Sequence, residues 1–211
     1  MKKIAFIDLE GTLILGSEWN NLRDKFGAFE LSKTYSKLYD EGKIGFEEWR
    51  QELARVWREN KATKDMFVSE LKNYKVLDGA RELVVGLKKK GFKTIIVTGA
   101  IDILGELVKK DLGIDEVYSA HKFLFDKNGV LEKIKTFEDY SEGKGKVKII
   151  LEIITKEKAN PDDCIAIGGD DINDYWMLKE LRSFSVNPNI KQIKNVVDHE
   201  VKNLKEILDF V

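Results

Sequence analysis

The sequence predicts an α/β fold, a doubly wound and mainly parallel sheet carrying a small helical insertion after its first strand. Three observations lead there. The runs Ile4-Ala5-Phe6-Ile7, Thr94-Ile95-Ile96-Val97 and Ile165-Ala166-Ile167 are short, almost wholly apolar and rich in β-branched side chains, as strands covered on both faces are. Helical patterns separate them, the alternation that builds a doubly wound sheet. From Leu15 to Leu77, by contrast, helical periodicity dominates and no convincing buried strand interrupts it.

Taken in order, the first run leads straight into Asp8. A helix opening at Asp78 as its cap runs to about Lys90 and stops at Gly91. The second run ends in Thr98-Gly99, and a helix from about Asp102 to Leu112 stops at Gly113. Phe123 to Ile134, turning at Lys127-Asn128-Gly129, reads as a β-hairpin. A helix from about Lys146 to Lys156 places Ile149, Ile150, Ile153 and Ile154 on one side. The third run ends in Gly168-Gly169-Asp170, Ser183 to Val186 forms a further strand, and Leu204 to Phe210 a closing helix. Residues 1–14 and 78–211 thus make the α/β core, and residues 15–77 a smaller helical domain. Its aromatic side chains, Trp19, Trp49, Trp57, Phe26, Phe29, Tyr35, Tyr39, Phe46 and Phe67, fill the centre of a small bundle.

Composition narrows the chemistry. The 36 Lys and Arg and 37 Asp and Glu in 211 residues leave a net charge of -1, without the basic surplus of a nucleic-acid or anionic-membrane binder. Two histidines and one cysteine exclude disulfide frameworks and His-rich zinc sites. Carboxylates are left as the reactive groups. The apolar run Ile4–Ile7 is too short for a signal core or a membrane span, so a soluble, cytoplasmic protein is expected. Thirty lysines against two glutamines resemble thermophile composition. Cys164 is expected to be a small buried hydrophobe, and His121 and His199 structural or surface residues.

In open α/β sheets, ligands bind beyond the carboxyl ends of the strands, so Asp8, Thr98 and Asp170 should meet on one edge. Asp8-Leu9-Glu10-Gly11-Thr12 brings two carboxylates to a strand end, and Gly169-Asp170-Asp171-Ile172-Asn173-Asp174 brings a second acidic cluster. Carboxylates gathered there repel unless a cation or protons separate them. Mg²⁺, which takes hard oxygen ligands, answers that requirement. Given a phosphate ester, one carboxylate attacks phosphorus, and Thr98 and the amides near Gly99 bond the phosphoryl oxygens. A lysine at the start of the third helix, Lys146 or Lys144, adds positive charge.

Asp8-x-Glu10-Gly11-Thr12, then Val97-Thr98-Gly99, a helix-opening lysine and Gly169-Asp170-x-x-Asn173-Asp174 resemble, in order, the four motifs of the haloacid dehalogenase superfamily. The helical insertion makes the chain most similar to the phosphoserine phosphatase-like branch. The resemblance implies a Rossmann-like core with a helical cap, and a Mg²⁺-dependent phosphatase of small phosphomonoesters acting through an aspartyl phosphate. It implies Asp8 as nucleophile and metal ligand, Glu10 as general acid and base with its main-chain carbonyl on the metal, and Asp170 as metal ligand. Thr98 and Gly99 hold the phosphoryl group, Lys146 matches the motif lysine better than Lys144, and Asp174 orients water or the lysine with Asn173 beside it.

Three departures qualify these roles. Glu10 stands where Asp is commonest, although enolase-phosphatases carry Glu there. Asp171 replaces a glycine and is expected to be an exposed turn residue. The arginine that grips a carboxylate in phosphoserine phosphatases is matched by Leu53, with Arg50 and Arg55 nearby expected at the surface; together with Ala100 in place of a glycine, this disfavours phosphoserine. The expected partner is a small phosphorylated metabolite, with no nucleic acid and no membrane, on a monomer or homodimer. Two alternatives accompany this reading, phosphotransfer to a small alcohol acceptor and a catalytically weak binding or regulatory protein on the same fold.

Overall fold

A computed structural model describes residues 2–16, 18–137 and 144–211. Its strands are β1 (Lys3–Ile7), β2 (Phe92–Ile101), β3 (Glu116–Phe125), β4 (Leu131–Thr136), β5 (Cys164–Ile167), β6 (Arg182–Val186) and β7 (His199–Val201). They form one sheet in the order β4-β3-β2-β1-β5-β6-β7, and every pairing is parallel except that of β3 with β4. The expected α/β class is the one observed.

Successive residues of β1 point to opposite faces, which the chain covers separately. Ala5 and Ile7 join Ile96, Ile165 and Ile167 under α5 (Ala80–Lys89) and α6 (Asp102–Leu112), in one apolar cluster. Ile4 and Phe6 join Ile95, Val97, Cys164 and Ala166 under α7 (Gly145–Glu157) and α8 (Tyr175–Glu180). Cys164 is thus the buried hydrophobe expected. All of β1 after Lys3 is buried, which is why its sequence shows no alternation.

Among the described residues, four helices lie between β1 and α5: α1 (Glu18–Lys25), α2 (Phe29–Asp40), α3 (Phe46–Glu59) and α4 (Lys64–Leu71). Their buried aromatics do not form a core of their own. Trp57 lies 5.5 Å from Phe67 and 5.9 Å from Phe123 of β3, and Phe67 lies 6.1 Å from Phe125. Gln51 Nε2 also donates to the Ile134 carbonyl of β4 at 2.7 Å. The apolar cluster therefore runs from the helices into the β3–β4 edge of the sheet. Trp57 is fully buried at that junction, so Trp57→Ala should cost about 3–5 kcal/mol in urea unfolding. Trp57→Phe, which also removes an indole N–H lacking a partner, should cost less.

Several expectations need correction. Asp78 does not cap α5: Gly79, in the left-handed region at φ 84°, holds the cap position and no side chain bonds the helix end. Phe29 is exposed, not part of the aromatic core. Strand β2 continues through Thr98 and Gly99 to Ile101, with its register against β3 shifting beyond Thr98. The hairpin is present, and Asp126 Oδ1 accepts the N–H groups of Asn128 and Val130 at its turn. Its first strand, however, begins at Glu116 and pairs first with β2, an extent hidden by the polar residues of Tyr118-Ser119-Ala120-His121-Lys122. The closing helix is a 3-10 helix, Leu204–Asp209, whose first N–H groups bond the Asn203 side chain. The structure adds α8, α9 (Lys191–Lys194) and β7, segments too short to show periodicity. Among the described residues, no helix is long and apolar enough to cross a membrane.

Candidate active site

Strand β1 hands the chain to Asp8 at its carboxyl end, and the Asp8 N–H is held by the Ile167 carbonyl of β5 at 2.9 Å. The next residues turn tightly: the N–H groups of Leu13 and Ile14 both reach the Leu9 carbonyl, at 2.8 and 3.1 Å. Gly11 makes the turn possible with φ 74°, and a Cβ there would collide with the Asp170 carboxylate. That glycine lets the β1 and β5 loops close on each other.

Asp8, Glu10, Thr98, Gly99, Lys146, Asp170 and Asn173 line one cavity of about 310 Å³, together with Gly16 and Asp171. Asp174, the remaining expected site residue, is fully buried behind it. Lys146, the second residue of α7, joins the two layers: its ammonium bonds the Asp8 carboxylate and donates to Asp174 Oδ1 at 2.5 Å. Asp174 Oδ2 accepts the Gly169 N–H at 2.6 Å. Lys144 lies elsewhere, its ammonium 5.5 Å from the Trp176 ring centre. Thr98 Oγ1 accepts the Ala100 N–H at 3.0 Å, which leaves the hydroxyl proton able to point into the cavity. Asp171 is an exposed turn residue as expected, and its carboxylate accepts the Asn173 N–H at 2.8 Å.

Charge in this cavity is unbalanced. Asp8, Asp170 and Asp174 each bring a carboxylate oxygen into a group whose members lie within 4.8 Å of one another, and the Lys146 ammonium bonds two of them. Burial and the Asp174 carboxylate push the Asp8 carboxyl upward, against the pull of Lys146. Partial burial and Asp174 likewise push Asp170 up to about 6. An anionic, all-oxygen donor set with surplus negative charge fits a hard divalent cation such as Mg²⁺.

Glu10 faces a different environment. Its carboxylate stands apart from the acidic group and accepts the Glu18 N–H at 2.7 Å. Burial raises it to about 7, an effect that this N–H bond only partly offsets. Glu18 is itself buried and bonded to Asn21, and the sequence offered no signal for it.

One sequence expectation fails here. Arg50 is not a surface residue; it is 6% exposed, enclosed by the rings of Trp19, Phe46 and Trp49. Arg55 is at the surface as expected, paired with Glu52 and Glu59, and Leu53 is buried in the apolar cluster. His121 is also buried, in edge contact with Trp19 at 5.1 Å, while His199 stacks on Phe184.

The chain is 28% identical over its whole length to a phosphoserine phosphatase of Methanocaldococcus jannaschii, covering 98% of that protein. It is 30% identical over 95% of its length to one from Archaeoglobus fulgidus, of which it spans 56%. Its backbone superposes with a TM-score of 0.77 and 22% identity on a phospho-aspartyl intermediate analogue of a phosphoserine phosphatase, covering 100% of this chain and 99% of that one. The family model of haloacid dehalogenase-like hydrolases matches residues 2–182, nearly all of the sheet and its helices, and the chain belongs to that family.

Proposed function

We propose that this protein is a Mg²⁺-dependent phosphatase of small phosphomonoesters that works through a phosphorylated Asp8. The reading rests on one arrangement: Asp8, Lys146, Thr98 and Asp170 line one small cavity, with a protonatable Glu10 on the same wall. The phosphoserine phosphatase relatives support it, and the cavity's size suits a phosphoryl group better than a large substrate.

An Asp8 carboxylate oxygen attacks phosphorus and the ester P–O bond breaks. The departing alkoxide takes its proton from the Glu10 carboxyl, which burial keeps protonated into the neutral range. Water then attacks the phosphorylated Asp8, giving its proton to the Glu10 carboxylate, and the bond between phosphorus and the Asp8 oxygen breaks to release phosphate. Lys146 balances charge on the phosphoryl oxygens and holds Asp8 in place, itself oriented by Asp174. The Thr98 hydroxyl and the Gly99 N–H donate to the phosphoryl oxygens, and Asn173 flanks them. Asp8, Asp170 and the Glu10 main-chain carbonyl would hold Mg²⁺, which when bound supplies neutralisation of the phosphoryl charge.

In the same reading, residues 15–77 act as a cap over the core formed by 1–14 and 78–211, excluding bulk water and shaping selectivity. The test is hydrolysis of p-nitrophenyl phosphate with Mg²⁺ and with EDTA. Turnover should require the metal, and Mg²⁺ should raise Tm because it binds only the folded cluster. Equal rates with and without EDTA would exclude the proposal.

A further inference from the structure

We infer that the groove where α4 meets α6 and β3 is a second binding site, which takes a small amphipathic anion: a compact apolar body carrying one carboxylate, sulfonate or phosphate. The inference goes beyond the phosphatase reading and is independent of it, since no residue lining this groove lines the phosphoryl cavity.

The groove has a volume of about 680 Å³, within the range of small-molecule sites. Three elements each turn one face toward it. Lys64 and Val68 stand one turn apart on α4, and Ile103, Leu107 and Lys110 follow one another at single-turn spacing on α6. Phe123 and Phe125 are alternate residues of β3 and so share a face of the sheet. Together they make an apolar floor that the fold leaves partly open. Phe123 is buried, but Val68, Ile103, Leu107 and Phe125 each keep some surface uncovered.

Charge on the rim is one-sided. Both acids that border the groove are already engaged: Asp102 Oδ1 accepts the N–H groups of Ile103 and Phe123 at 3.0 and 3.2 Å, and Glu106 Oε2 pairs with Lys109 at 2.8 Å. Lys64, Lys110 and Lys122 border it too, and they make no ion pair among the described residues. Lysine is abundant in this chain, and an exposed lysine by itself calls for no partner. What is specific is three uncompensated ammonium groups around a floor of aromatic and aliphatic side chains. A cation would be repelled by that rim, and a wholly apolar molecule would gain nothing from it. An amphipathic anion matches both surfaces, its body covering the floor and its head meeting the ammonium groups, while the lysine stems lie along the apolar walls. Such a molecule touches α4 and α6 together, and so fastens the inserted helices to the sheet's own covering helix.

One ring system with three heads tests the site. Equilibrium dialysis of the full chain against naphthalene-2-sulfonate, 2-naphthylmethanol and 2-naphthylmethylammonium compares an anion, a neutral group and a cation on the same apolar body. The sulfonate should bind about 5- to 30-fold more tightly than the alcohol, the worth of two partly exposed ion pairs, and the ammonium more weakly than either. Lys64→Glu combined with Lys110→Glu should abolish the preference for the anion while the alcohol binds as before, which shows the groove intact. Lys191→Glu combined with Lys194→Glu makes the same change in net charge on α9 and should leave the preference unchanged. Excess inorganic phosphate with Mg²⁺, directed to the phosphoryl cavity, should not displace the sulfonate. Equal affinities for the three heads, a preference that survives the reversal in the groove or is lost with the reversal on α9, or displacement by phosphate would overturn the inference. So would a dimer, seen by analytical ultracentrifugation, that the groove reversal dissociates, since the groove then belongs to a second copy of the chain.

Discussion

Asp8→Asn is expected to leave a folded protein whose turnover has fallen by about 10⁵-fold or more, the scale of loss when a covalent nucleophile is removed. The amide keeps the shape of the carboxylate but has no oxygen able to form the phosphoryl ester. Stability should move the other way. Asp8 is buried beside Asp174 and its carboxyl is pushed upward, so a neutral side chain relieves repulsion in the metal-free protein. The rise in Tm that Mg²⁺ gives the wild type should shrink in the variant, because one ligand oxygen has lost its charge. Steady-state hydrolysis and thermal melts with Mg²⁺ or EDTA read both effects. Retention of even about 1% of wild-type kcat would remove Asp8 from the nucleophile's role.

Glu10→Gln should produce a loss that depends on the leaving group. For an alkyl phosphomonoester, kcat/KM should fall by about 10²–10⁴-fold, the usual contribution of a positioned acid. For p-nitrophenyl phosphate the loss should be below about 10-fold, since nitrophenolate departs without a proton. The pH profile carries the same signature. With Glu10 raised to about 7, its acid form is present below that pH and is lost above it. Wild-type kcat/KM on the alkyl ester should therefore decline as pH rises through about 7, and the decline should be missing in Glu10→Gln. An unchanged alkaline limb in the variant would assign the proton to another group.

Most of the sheet was readable in the sequence because β1, β2 and β5 are buried on both faces, and a strand in that position has no reason to be polar. The same logic hid β7 and the start of β3. His199-Glu200-Val201 lies at an edge, and Glu116 to Lys122 mixes polar and apolar residues. The cavity was readable because Asp8 and Asp170 follow the ends of β1 and β5, where topology rather than long-range packing decides what meets. Glu18 was not, since its contact with Glu10 depends on how α1 enters after the turn. Arg50 is the instructive failure. Arg50, Leu53, Ala54 and Trp57 have the i, i+3, i+4, i+7 spacing of one helix face, and all four are buried. Helical period placed the arginine inward, whereas its charge argued for the surface, and the period was the better guide.

β1 is the middle strand of the sheet, with three strands on either side. The residue proposed to bond phosphorus is thus anchored where the lattice of backbone hydrogen bonds is widest. Opening of the molecule should begin at its margins, in β4, β7 and the helices of residues 18–71, and reach Asp8 last. Whatever swings to admit a substrate or expel phosphate, the reacting carboxylate is the fixed point about which it swings. Positional precision in this protein is inherited from strand order.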